Sequence, residues 1–120
     1  MEQKLLSKAD TDAKRIETDW GSLCWLAGRD FSNSDDMTVG RVIIKAGMSN
    51  PPHRHPNCDE VLYLLQGTLE HTLDDETVIV NAGDTLSIRK HVFHKAKSIG
   101  DCDADLIVVF SSADRKAEGE

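Results

Sequence analysis

The chain has 120 residues, 39% apolar and 29% charged, with 14 lysines and arginines against 21 aspartates and glutamates for a formal charge of −7. That length supports one hydrophobic core rather than two ordinary domains, and the composition lies outside the range of disordered chains. With an acidic balance, no basic stripe and no apolar run near the ~20 residues of a membrane-spanning helix, neither nucleic acid nor a membrane is an expected partner.

Residues 1–21 alternate charges with few apolar positions and read as an N-terminal extension that packs little by itself. Its opening MEQKLLSKAD has no apolar core of the kind a secretory signal needs, and a helix over Lys4–Glu17 would lack a buried face. From residue 22 short β-rich runs follow one another: LCWLA, TVGRVIIK, EVLYLLQ, TLEHTL, TVIV, TLSI, FHKA and DLIVVF. Strands of that length, separated by Gly, Pro, Asn and Asp, predict an all-β antiparallel sandwich or barrel over residues 22–112. Gln66-Gly67 reads as a two-residue hairpin turn and Asp74-Asp75 as the next turn. Residues 113–120 read as a solvated tail.

Cys24, Cys58 and Cys102 are odd in number, widely spaced and without a CxxC pair, which fits neither a disulfide framework nor a thiolate zinc site. They read as packing residues of a protein kept in a reducing cytoplasm. Trp20 and Trp25 flank the first strand and read as packing or dimer-contact aromatics rather than pocket walls.

The chemistry concentrates in G-MSNPP-H-R-H-PNCD-E-VLYLLQ-G, from Gly47 to Gly67. His53 and His55 are two apart, so on one strand they share a face and can share a metal. Glu60 is five residues beyond His55, an odd separation that would place it on the opposite face of a continuous strand. Pro56-Asn57 resets the register, because proline donates nothing to a ladder and asparagine accepts turn geometry. His94, after the turn RKHV, is the best candidate for a third imidazole. Three neutral imidazoles and a carboxylate suit one divalent transition metal, Fe, Mn, Zn, Ni, Co or Cu, with open positions for water or substrate.

These residues resemble the cupin family, whose first motif is G-x5-H-x-H-x3,4-E-x6-G; Gly47, His53, His55, Glu60 and Gly67 meet every specified position. The second motif, G-x5-P-x-G-x2-H-x3-N, is met at Gly83 and His94, while Arg89 replaces the proline, His91 the glycine and Ser98 the asparagine. The resemblance covers roughly residues 36 to 110. It implies a double-stranded β-helix, the jelly-roll barrel of cupins, and often a homodimer.

His71, His91 and Arg89 are further pocket candidates. Hairpin pairing across Gln66-Gly67 would set Leu62 opposite His71 and Glu60 opposite Leu73, turning His71 inward beside a metal ligand, where it can serve as general acid or base. His91 sits in the turn before His94, and Arg89 can pair with a substrate carboxylate or phosphate. Tyr63 falls on the face opposite Glu60. The expectation is a cytoplasmic metalloenzyme acting on a small polar molecule, either an isomerase, epimerase or lyase on a sugar or keto acid, or a dioxygenase. The competing reading is a ligand-binding or sensory module without turnover.

Overall fold

The computed structural model describes residues 3–119. Eleven strands and two short helical turns follow in order: α1 (Lys8–Asp12), β1 (Ile16–Glu17), β2 (Gly21–Ala27), a 3-10 turn (Arg29–Phe31), β3 (Thr38–Ile44), β4 (His53–Arg54), β5 (Glu60–Gln66), β6 (Thr68–Leu73), β7 (Glu76–Asn81), β8 (Thr85–Ile88), β9 (His94–Ser98), β10 (Ala104–Phe110) and β11 (Glu118–Gly119). They build two antiparallel sheets, β1-β2-β3-β10-β5-β8 and β11-β4-β9-β6-β7, that close as a double-stranded β-helix.

Alternation explains the core. Along β5 every second residue, Glu60, Leu62 and Leu64, is buried, and along β10 the same holds for Ala104, Leu106, Val108 and Phe110. With β3, β6, β8 and β9 they enclose a core around Ile44, Leu62, Leu64, Leu69 and Ile88. Val61, Tyr63 and Leu65 face outward, as the parity of β5 requires.

The corner at Gln66-Gly67 differs from the expected hairpin. β5 is paired on both edges, by β10 and β8, so it has no edge left for β6, which joins the other sheet between β9 and β7. Gly67 turns the chain with φ +94, and a Cβ there would come within 2.9 Å of the Ala104 Cα. His71 therefore lies opposite Val78 and Ala96, not Leu62. It still faces inward, because the corner preserves the parity that the hairpin assumed. Asp74-Asp75 does form a two-residue hairpin, closing Leu73 against Glu76 with Asp74 at φ +53.

The two ends pack more than their composition suggests. α1 is held by a reciprocal cap between Ser7 and Asp10. Thr11 is buried, with its carbonyl accepting from Cys24 Sγ, and the Trp20 carbonyl accepts from the Lys45 amide at 2.8 Å. At the other end, residues 113–119 are largely exposed, as a solvated tail would be, but they are fastened to the barrel. Ala113 is buried, Asn57 donates to the Asp114 carbonyl and accepts from the Lys116 amide, and β11 pairs with β4. Charged side chains gave this segment a solvated signature, but its backbone groups are what bind it.

Candidate metal centre

His53 opens β4 and His55 follows it; Glu60 opens β5 and His94 opens β9. The ligand candidates thus come from both sheets. His53 and His94 are register partners across β4 and β9, with ring centres 4.2 Å apart. The loop 56–59 carries the chain from one sheet to the other and is pinned where it arrives: the Asp59 amide donates to Ser111 Oγ, and Asp59 Oδ1 accepts from the Lys90 amide. This crossing is the register reset that brings Glu60 back to the histidines.

Each of the three histidines has Nδ1 against a backbone carbonyl: His53 on Pro51 at 2.8 Å, His55 on Lys116 at 2.9 Å and His94 on Val92 at 3.0 Å. A carbonyl can only accept, so Nδ1 carries the proton and Nε2 presents a lone pair. Glu60 Oε1 lies 3.3 Å from Nε2 of His55 and 3.2 Å from Nε2 of His94. Acceptor then faces acceptor in a buried site, a costly arrangement unless a cation stands among them. The ligating atoms of His53, His55, Glu60 and His94 all lie within 4.8 Å of one another. Backbone carbonyls fixing the tautomer of ligating imidazoles are the outer support that metal sites commonly have. The four side chains form a group suited to hold a divalent metal.

The electrostatics express the same need. Burial and the neighbouring His94 push His53 down to about 4, so it stays neutral near pH 7. Burial opposes ionisation of Glu60, yet a proton taken up at Nε2 of His55 or His94 would outweigh it, and these two neighbours hold the carboxyl down at about 2. Burial likewise opposes charge on His94, while Glu60 raises its pKa. The pair draws positive charge between Nε2 and Oε1, and a metal ion meets that demand as a proton would.

Above the four residues is a cavity of about 190 Å³. His71 lines it, 2% exposed, its ring stacked 5.8 Å from that of His94, and among the described residues neither ring nitrogen has a hydrogen-bond partner. Burial pushes its pKa down to about 4. The other two pocket candidates lie outside. The Arg89 side chain is 84% exposed and sits 3.7 Å from Asp59. His91 is exposed at φ +72, with its amide donating to the His55 carbonyl. The turn demands a left-handed residue where the resembling motif has glycine, and here a histidine supplies it with its side chain in solvent.

Trp20 and Trp25 pack against the core, as expected, and they are also pocket walls, which was not expected. Gly40, the register partner of Trp25, makes this possible: a Cβ at Gly40 would stand 2.6 Å from the indole. Arg115, also in the lining, was missed because an arginine in a charged terminal stretch carries no signal of burial.

Comparison with known proteins places these features in context. A family model described as "Cupin domain" matches residues 40–110. Germin-like protein 5-1 of Oryza sativa subsp. japonica is 33% identical over 85 residues, covering 67% of this chain and 38% of that protein. Polyketide synthase CurC of Streptomyces cyaneus is 32% identical over 69 residues, covering 58% and 45%. The chain therefore spans less than half the length of these relatives. Among solved structures, Bacillus subtilis oxalate decarboxylase, described with Mn(II) centres, superposes with a TM-score of 0.82 at 22% identity, over 88% of this chain and 29% of that one.

Proposed function

This chain belongs to the cupin family, and from that footing we propose that it is a metal-dependent enzyme acting on a small polar molecule held in the cavity above His53, His55, Glu60 and His94. The observation that carries the reading is the meeting of two Nε2 lone pairs with Glu60 Oε1 at 3.2 and 3.3 Å, buried and otherwise unpartnered. A bound divalent ion would polarise a carbonyl or hydroxyl of the substrate. His53, His55 and His94 would hold it through Nε2, each oriented by a backbone carbonyl, with Glu60 supplying the charge that balances it.

Within that reading, His71 moves the proton. It lines the cavity with its ring stacked on that of His94 and both nitrogens without a partner among the described residues, so it can accept a proton from a substrate carbon or hydroxyl. Isomerase or lyase chemistry on a sugar acid or keto acid follows more directly from this arrangement than oxygen insertion. The test is a panel of such acids incubated with metal-loaded protein in deuterated water. Deuterium in the product that disappears in His71→Gln while metal content is retained supports the reading. Turnover that consumes dioxygen, with no exchange, replaces it by an oxygenase.

We further propose that two copies associate, as the family resemblance implies. The outward row Val61, Tyr63 and Leu65 on β5, 41%, 44% and 47% exposed, supplies an apolar strip for that contact.

A further inference from the structure

The cavity lining is polar at the histidine cluster with His71, at Asn50 and at Arg115, which among the described residues is the one lysine or arginine in the lining. Arg115 is half-buried, its guanidinium carbon 4.5 Å from the centre of the Trp25 indole and 5.1 Å from that of the Phe110 ring. Phe110 in turn packs at 4.8 Å against the ring of His55. One aromatic side chain thus separates the cation from the ligand cluster. Most of the remaining lining is apolar, including Leu23, Val42 and Val108.

Stacking on two rings satisfies the faces of a guanidinium and none of its N–H groups. Among the described residues no carboxylate or carbonyl accepts from them; the carboxylate whose charge reaches Arg115 is Glu60, which already faces the histidines, and Cys58 nearby is a thiol that burial keeps protonated. Burial works against the charge of Arg115, yet an arginine does not discharge, so the cation waits for an anion. Its planar fork matches a carboxylate in two parallel hydrogen bonds, whereas a phosphate would find no second cation in the lining of this cavity.

We infer that the pocket takes a small organic carboxylate with an apolar body, its acid group paired with Arg115 and its other end at the histidine cluster; the inference rests on the reading of that cluster as the reacting end. A cavity of about 190 Å³ fits this size, since ~150 Å³ suffices for benzene. Arg115 sets which molecules enter.

The test compares acids with their neutral amides, namely butyrate, 2-oxobutyrate and benzoate against the matching amides, by titration calorimetry. Measurements are made on metal-loaded protein and on the same protein after chelation. At least one acid should bind tenfold or more tightly than its amide, before and after chelation. Arg115→Gln should abolish the preference with metal content unchanged, and Arg115→Lys should retain part of it. The inference is overturned if no acid outbinds its amide, if Arg115→Gln leaves the preference intact, or if the preference leaves with the metal. Protein that prefers acids through Arg115 but holds no metal overturns the proposed function instead, so the two failures are distinguishable. The comparison of acid with amide on the unaltered chain decides the matter even where a variant folds poorly.

Discussion

His55 donates from Nδ1 to the carbonyl of Lys116 across 2.9 Å, so a candidate metal ligand is oriented by a segment 61 positions further along the chain. The same segment carries Arg115 into the cavity. Residues 113–119 therefore serve both ends of the site, and what fastens them bears on metal and ligand together.

Asn57 is the exposed fastening, donating to the Asp114 carbonyl and accepting from the Lys116 amide. Asn57→Ala should leave the barrel folded and loosen the support of His55. Loss of outer support at metal sites costs roughly 10–100-fold in affinity. Chelator competition should show a loss in that range, and affinity equal to that of the unaltered chain would remove the segment from the metal site.

His71→Leu should stabilise the metal-free protein. It replaces a buried imidazole with no hydrogen-bond partner by an apolar side chain of similar volume, which relieves about 1–3 kcal/mol. Thermal unfolding at pH 7 should shift upward while turnover is lost; a lower midpoint would mean that His71 has a structural partner.

The same histidine gives a pH signature. The unfolded chain binds a proton at His71 near pH 6.5, whereas the folded chain refuses it until about 4. Between those values the unfolded state holds more protons, so His71 removes stability as pH falls, by about 1.4 kcal/mol per pH unit at most. Chemical denaturation of the metal-free protein should show a shallower acid slope for His71→Leu than for the unaltered chain. Parallel slopes would place the loss elsewhere.

Gly40→Val should damage the pocket wall. Its Cβ would meet the Trp25 ring at 2.6 Å, pushing the indole off Gly40 and toward Arg115. Overpacking of this kind costs about 1–3 kcal/mol. Altered tryptophan fluorescence with weaker acid binding is expected, and unchanged binding would show that Trp25 does not shape the cavity.

Tyr63→Glu places charge in the outward strip of β5 and should give a monomeric mass by light scattering where the unaltered chain gives a dimer. A monomer in both cases ends the proposal of self-association.

The site was legible wherever its logic is local. His53, His55 and Glu60 lie within eight residues, and strand parity with a proline break is enough to bring them together. His94 follows from its place after a turn. His71 came out inside for the wrong reason: parity survives a sheet-to-sheet corner, but which strand pairs with which does not show in a single β-rich run. Whether an edge is already taken is decided by strands far away in the sequence. The same limit hid Trp25, whose inward seat depends on Gly40 across β3, and Arg115, whose burial depends on backbone bonds to Asn57. Arg89 and His91 stand close to His94 in sequence and outside the cavity in space: His91 is exposed in a left-handed turn, and Arg89 is exposed beside Asp59.

Elemental mass spectrometry of protein purified without chelator or oxygen, set beside a His53→Ala, His55→Ala double variant, tests the central claim most directly. The account predicts about one equivalent of a divalent transition metal in the unaltered chain and none in the variant. Metal absent from the first, or retained in full by the second, would contradict it.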